Sequence, residues 1–288
     1  MKIVFIGLGR MGFPMAGHLA KAGLDVTVFN RTVKKSKLWS EKYNKPYSLT
    51  LADLPNDLDM VITCLKDDES ILNILKNEYL INKIKPGGFI VDHSTTSVDL
   101  VRDLYNFYKT IDITFYDSPV SGGELGAQNG QLSVMIGGDV DSLNKIKPTI
   151  QHYAKTIEYI GLSGSGQLTK MINQICITGI IKSLSEAINF GKAQDGLDLN
   201  KVFNAISSGA AQSWQLDNRF HTMVTGEFDF GFGIDLMIKD LKIAINQAKR
   251  KGVSLETVQR ILDEYIILSE MGGGDQDTSS LIKSLQNS

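Results

Sequence analysis

MKIVFIGLGRMGFPMAGHLAKAGLDVTVFNR, residues 1–31, is the stretch whose reading decides the fold. Ile3-Val4-Phe5-Ile6 is a short apolar run, rich enough in β-branched residues for a buried strand. Gly7, Gly9 and Gly12 follow it at once in G-x-G-x-x-G spacing. Met15, Ala16, Leu19 and Ala20 then recur at helical spacing up to Ala22-Gly23, a helix stop. Val26-Thr27-Val28-Phe29 closes a β-α-β unit of about 30 residues.

In that setting each glycine has a task. Gly7 permits the tight turn, Gly9 lets the backbone approach a pyrophosphate, and Gly12 lets helix and strand pack closely. The anion would lie against the unpaired N–H groups of the helix start. The loop Gly7-Leu8-Gly9-Arg10-Met11-Gly12 is therefore the candidate dinucleotide site. A generic βαβ turn competes with that reading, but the flanking strand, helix and returning strand weigh against it. Where a carboxylate usually accepts from the ribose 2′-hydroxyl, this chain has Asn30-Arg31-Thr32, with Lys34 and Lys35 beyond. Arg31 can pair with a 2′-phosphate through its planar fork, helped by Asn30 and Thr32. NADP(H) is thus preferred, NAD(H) is the alternative, and a merely solvated basic loop is the competing reading.

The 288 residues suit one large domain or two ordinary ones, and 42% hydrophobic residues supply a core. A net charge of −2 gives no electrostatic case for nucleic acid. No uninterrupted apolar stretch reaches membrane-spanning length, and the first apolar run is spent on a strand. Cys64 and Cys176 both stand in apolar surroundings, which predicts reduced core thiols. Four scattered histidines make no metal-ligand spacing with them. The expectation is a soluble cytoplasmic protein.

Further along, Met60–Leu65 and Phe89–Asp92 read as buried strands. Alternation with helices predicts a parallel, doubly wound Rossmann-type α/β sheet. Ligands collect at the carboxyl ends of such strands, so Leu65-Lys66 and Ser94-Thr95 become cofactor candidates by position. His93 is an acid/base by type, though a lone histidine beside a helix cap is more often structural. Ser121-Gly122-Gly123, beyond the strand Phe115–Asp117, offers a hydroxyl and two unhindered N–H groups that can hold a carboxylate; a flexible turn has the same composition.

After Gly161–Gly166 the pattern turns helical. Residues 167–194 are apolar nearly all round, which predicts burial on several sides and an oligomer, a homodimer or homotetramer. Leu199–Ser208, Leu236–Lys251 and Leu255–Met271 are also helix-like, giving an all-α second domain: 1–163 for the dinucleotide domain, 164–288 for the helical one. Lys170 stands among apolar residues with Asn173 and Gln174 one turn on. Either it snorkels to solvent or it points into an interdomain cleft as a proton donor, with Asn173 as a substrate ligand. Lys239-Asp240 reads on its own as a surface ion pair.

Together these motifs resemble the β-hydroxyacid dehydrogenase family. The resemblance rests on GLGRMGFPMA at 7–16, DHSTTSV at 92–98, DSPVSGGELGAQNG at 117–130, GSGQLTKMINQ at 164–174, KDL at 239–241 and DQDTSS at 275–280, and spans the chain. It implies that Ser121, Gly122 and Gly123 cradle a substrate carboxylate, that Lys170 is the catalytic lysine, and that Asn173 is an active-site amide. It also implies that Leu65, Thr95 and Lys239 touch the cofactor and that Asp240 adjoins it.

The chain departs from the family where Gln174 replaces the usual Asn, where Lys66 replaces the usual Pro, and at Asn30-Arg31-Thr32. The first and last of these pull toward an NADPH-using reductase of a small semialdehyde or glyoxylate. An NAD-linked 3-hydroxyisobutyrate dehydrogenase is the alternative within the family, and a non-catalytic NADP-binding sensor or scaffold the alternative outside it.

Overall fold

The computed structural model describes residues 1–285 and divides into two compact units, Met1–Lys170 and the chain from Met171 on. In the first, β1 (Lys2–Ile6), α1 (Gly12–Lys21) and β2 (Asp25–Phe29) form the opening β-α-β unit. β1 pairs in parallel with β2 on one side and with β3 (Leu58–Thr63) on the other. Strand order therefore turns at β1, the point where an open α/β sheet gathers its ligands. β4 (Ile84–Asp92) and β5 (Thr114–Asp117) extend the parallel run. α2 (Val33–Tyr43), α3 (Asp68–Leu75), α4 (Glu78–Ile81) and α5 (Val98–Lys109) fill the connections.

Alternate residues of one strand feed two cores. Ile3 and Phe5 pack with Met15, Leu19 and Trp39, while Val4 and Ile6 pack with Ile71, Leu75 and Leu104. This is the doubly wound arrangement expected.

The sheet is mixed beyond β5, where the sequence predicts a parallel one. β6 (Val120–Ser121) and β7 (Leu132–Gly137) pair antiparallel, and β8 (Ala154–Gly161) lies parallel to β7. Asp117 opposes Gly137, Val120 opposes Val134 and Ser121 opposes Ser133, so β5 and β6 share one register against β7. They are a single extended run interrupted at Ser118-Pro119. The chain returns through the seven-residue α6 (Gly123–Asn129), too short for a crossover to a parallel neighbour. α7 (Leu143–Ile150) joins β7 to β8.

The second unit is helical. α8 (Ser165–Lys192) begins in the first unit, and α9 (Leu199–Ile206), α10 (Trp214–Thr225), α11 (Ile234–Arg250) and α12 (Glu256–Leu268) follow. A 3-10 helix, Thr278–Leu285, ends the described chain. Asp277 organises this unit: fully buried, it accepts from Arg219 Nε at 2.9 Å and from the Phe232 N–H at 3.0 Å. α10 is a helix the apolar pattern does not announce; its signal is Ser213, whose hydroxyl accepts from the Leu216 N–H at 3.0 Å.

α8 is less enclosed than its composition predicts. Ile172 and Phe190 are 62% and 69% exposed, and Ile180 and Cys176 share their stripe. The Cys176 thiol is thus a surface group rather than a core one, because it falls on the outward face of the helix. Among the described residues no helix is long and apolar enough to cross a membrane.

Two buried titratable side chains fasten the carboxyl edge of the sheet. His93, just past β4, holds Nδ1 2.6 Å from the Ser118 carbonyl oxygen and Nε2 2.8 Å from the Tyr153 hydroxyl. The carbonyl requires the proton on Nδ1, so Nε2 accepts from the tyrosine. Burial pushes the imidazole down from 6.5 to about 4, so it is a neutral strut. Asp117 accepts the N–H groups of Gly164 at 2.8 Å and Gln167 at 3.0 Å, and burial pushes its carboxyl up from 3.8 to about 7.

The two act on stability with opposite sign. Below 6.5 the unfolded chain protonates His93 and the folded chain does not until about 4, so stability falls as pH drops through that window. Folded Asp117 takes its proton from about 7 downward and the unfolded chain waits until 3.8, so this contribution rises as pH drops. The slopes oppose each other across the shared window. His93→Gln leaves only the rising one: the variant, weaker at neutral pH, should recover ~1–2 kcal/mol relative to wild type between pH ~6.5 and ~5. Urea unfolding at the two pH values tests this, and a constant stability gap would refute it.

Candidate active site

The glycine loop sits where β1 ends. Gly7 has φ +100°, and a Cβ there would collide with the Cys64 carbonyl oxygen. A Cβ at Gly12 would overlap the Gly7 carbonyl, so helix and strand touch through bare backbone. At Gly9 a Cβ would meet no protein atom within 4 Å. The first turn of α1 has no side-chain cap and no acidic residue. Open space before an uncapped helix start fits a pyrophosphate, so the loop suits a dinucleotide.

Around the loop the polar groups divide their work. Leu8 turns its side chain into the core, and its N–H donates to Asn30 Oδ1 at 2.8 Å. The Asn30 amide also donates to the Thr32 carbonyl at 3.1 Å, stapling the glycine loop to the end of β2. Asn30, which the sequence offers as a helper at the 2′-phosphate, makes these two backbone bonds with its side chain. Arg31 and Thr32 are exposed where α2 begins, followed by Lys34 and Lys35 and without an acidic residue in that first turn. Half-buried Leu65 donates its N–H to Ser94 Oγ at 2.8 Å; Lys66 is exposed and Thr95 half-buried in the adjoining loops. Arg10, also exposed, lies 4.0 Å from Glu124 of α6, and Met11 is half-buried beside it. His18 of α1 places Nε2 3.0 Å from the Ala127 carbonyl, so the helix after the glycine loop grips the helix after Ser121-Gly122-Gly123.

Gly122 has φ +126° and Gly123 φ +62°, conformations that a side chain would strain. Ser121, half-buried, ends β6 just ahead of them. Lys170 is 8% exposed and its Nζ donates to the Val120 carbonyl oxygen at 2.9 Å. The lysine therefore does not snorkel: its ammonium is bound to the residue preceding Ser121. Asp117 and Gln167, which fasten the start of α8, lie inside motifs visible in the sequence, but no spacing rule marks either one.

Within the second unit, Asn173 Nδ2 donates to Gln174 Oε1 at 2.9 Å, and Gln174 Nε2 donates to Asp240 Oδ2 at 2.6 Å. Lys239 Nζ stands 3.1 Å from Asp240 Oδ1. Asp240 is 2% exposed, so this is a buried relay rather than a surface pair, and it lies inside α11. Elsewhere in this unit Ile234 is core, while Trp214 and Phe230 flank the Arg219 guanidinium at 4.9 Å each. Phe232 packs against the same core as Ile234.

Residues 2–161 match the family model described as the NAD binding domain of 6-phosphogluconate dehydrogenase. Residues 164–285 match the model for the NAD-binding region of NADP-dependent 3-hydroxyisobutyrate dehydrogenase. An uncharacterized oxidoreductase of Shewanella frigidimarina is 45% identical over 100% of this chain and 99% of its own length. The 2-hydroxy-3-oxopropionate reductase of Escherichia coli is 32% identical over 99% of this chain and 97% of its own. A Mycobacterium tuberculosis 3-hydroxyisobutyrate dehydrogenase solved with L-serine superposes with a TM-score of 0.86 at 25% identity, covering 99% of each chain. A two-part match over the glycine loop and the helical half leaves one conclusion: the chain belongs to the β-hydroxyacid dehydrogenase family, NAD(P)-dependent oxidoreductases acting on CH–OH donors.

Proposed function

We propose that this chain is an NADP(H)-dependent reductase of a short aldehyde or keto acid, with Lys170 as its general acid and base. The observation that carries the reading is the Lys170 ammonium bonded 2.9 Å from the Val120 carbonyl, next to Ser121-Gly122-Gly123. When bound, the nicotinamide supplies or accepts the hydride equivalent. The glycine loop, Arg31, Thr32, Leu65, Lys66 and Thr95 are the residues of the first unit that would hold it.

The chain's own residues do the rest. Ser121 Oγ and the Gly122 and Gly123 N–H groups bind the substrate carboxylate and fix the direction of its carbonyl. Lys170 gives a proton to the carbonyl oxygen as negative charge develops there and takes it back in the oxidative direction. The Val120 acceptor orients the ammonium before substrate arrives. In the second unit Asn173 would contact the substrate, held by Gln174. The Escherichia coli relative's name denotes a small aldehyde acid, which supports a substrate of that size. A net charge of −2 gives no electrostatic case for nucleic acid, and cysteines kept as thiols at 64 and 176 support a reducing, cytoplasmic setting.

NADPH consumption over glyoxylate, succinic semialdehyde, tartronate semialdehyde and methylmalonate semialdehyde tests the activity. Lys170→Ala should lower kcat by ~10²-fold or more on the best of them, with NADPH affinity little changed. Tight NADPH binding without turnover on any would favour the sensor reading, and normal turnover in the variant would remove Lys170 from the chemistry.

For the cofactor, Arg31→Ala should reduce kcat/KM for NADPH by ~10-fold and leave NADH unaffected. Equal losses with both would discard the 2′-phosphate assignment. The exposed stripe Ile172, Cys176, Ile180 and Phe190 supports a homo-oligomer, a dimer or tetramer. Sedimentation should show a multiple of the 31.7 kDa chain, and Ile172→Asp with Phe190→Asp should reduce it toward one chain.

A further inference from the structure

A lysine has a long flexible stem, and its ammonium serves as an acid at one atom only if something outside that stem fixes it. Here the fixing groups act on the start of α8. Asp117 is fully buried at the end of β5, and both its oxygens accept main-chain N–H groups of that helix start, from Gly164 at 2.8 Å and Gln167 at 3.0 Å. The Gln167 side chain, also fully buried, forms a second tether. Its Oε1 accepts from the Thr96 N–H at 3.1 Å and its Nε2 donates to the Ser94 carbonyl at 2.8 Å.

From Gln167, Lys170 lies one helical turn along, and its Nζ reaches back to Val120, three residues beyond Asp117 on the same extended run. The loop is closed: Asp117 holds the helix start, the helix carries Lys170, and Lys170 meets the strand that carries Asp117 and Ser121. There is no slack around the carboxylate. A Cβ at Gly137 would stand 2.6 Å from Oδ1 and one at Gly166 2.9 Å from Oδ2. Asp92 faces it across the β4–β5 pair, and Arg102 of α5 borders Gly164 on the other side.

We propose that Asp117, seconded by Gln167, is a positioning residue for Lys170: by capping the start of α8 it places the ammonium beside the carboxylate cradle. The proposal rests on Lys170 being the acid of the reaction. Asparagine cannot replace the carboxylate, because one of its two positions would then be an NH₂ group facing a main-chain N–H. A purely structural Asp117 would alter stability without caring whether residue 170 is a lysine. A positioning Asp117 loses its effect on turnover once the lysine is gone.

A double-mutant cycle on the full chain reads that difference. Asp117→Asn should lower kcat by ~10-fold or more beside wild-type Lys170, with NADPH Kd unchanged, and by less than ~2-fold in a Lys170→Ala background. The same relative loss in both backgrounds, or no loss beside Lys170, overturns the inference. Lys170→Ala turning over normally overturns the parent reading and the inference with it, a result visible before Asp117 is touched. Should Asp117→Asn fail to fold, Gln167→Ala takes its place in the cycle under the same criteria.

Discussion

Burying the first turn of a 28-residue helix against the end of a sheet strands several main-chain N–H groups away from water. Each one left without an acceptor would cost on the order of a hydrogen bond's desolvation, ~1–3 kcal/mol. Asp117 answers that constraint for Gly164 and Gln167, and Gln167 ties the same turn to the loop after β4. The choice of a charged acceptor has a consequence. A buried carboxylate is itself poorly solvated, which is why its proton leaves only near pH 7 despite two N–H donors and a helix start. Both N–H groups point at this carboxylate, so the fold accepts a destabilised charge at the place where it needs a well-placed helix.

Its neighbours bear the same mark. His93 is kept neutral so that one ring nitrogen can donate to the Ser118 carbonyl and the other accept from Tyr153. Asp92 accepts from Thr63 Oγ1 at 2.7 Å and from the Ser94 N–H at 3.0 Å, and Ser94 Oγ in turn receives the Leu65 N–H. The carboxyl edge from β3 to β5 is thus a continuous polar network in which each member fixes the loop of the next strand. Shared hydrogen bonds of this kind hold the loops against one another. Rigidity here is what lets short loops present Thr95, Ser121 and the Val120 carbonyl in fixed positions.

Much of the fold is legible in the sequence because its signals are local. The G-x-G-x-x-G loop, the apolar runs of β1 to β4 and the long apolar helix are each decided within a dozen residues or so. What escapes depends on partners distant in sequence. The reversal of β7 goes with the short return through α6 and shows only in its pairing with β5 and β6. The bond from the Leu8 N–H to Asn30 Oδ1, which ties the glycine loop to the end of β2, spans 22 residues and has no local signal. Cys176 looks like a core thiol because its neighbours along the chain are apolar, while its helix face is open. Ser121-Gly122-Gly123 is ambiguous by composition, and the bond from Lys170 to the residue just before it is a contact that only the fold reveals.

Gln174 shows how a single departure from the family pattern acquires a physical meaning. The extra methylene of glutamine lengthens the amide's reach, and that amide is doubly engaged, accepting from Asn173 and donating to Asp240. A shorter asparagine at this position would have to move its backbone or give up one of these partners. The buried Asp240 carboxylate, beside Lys239, needs a donor on its other oxygen, since leaving it unpaired at 2% exposure would be costly. The amide at 174 is therefore a buried brace, and Asn173 beside it is the less buried of the two. Gln174 thus links Asn173 to Asp240, a division of work between two neighbouring amides that a sequence alone leaves undecided.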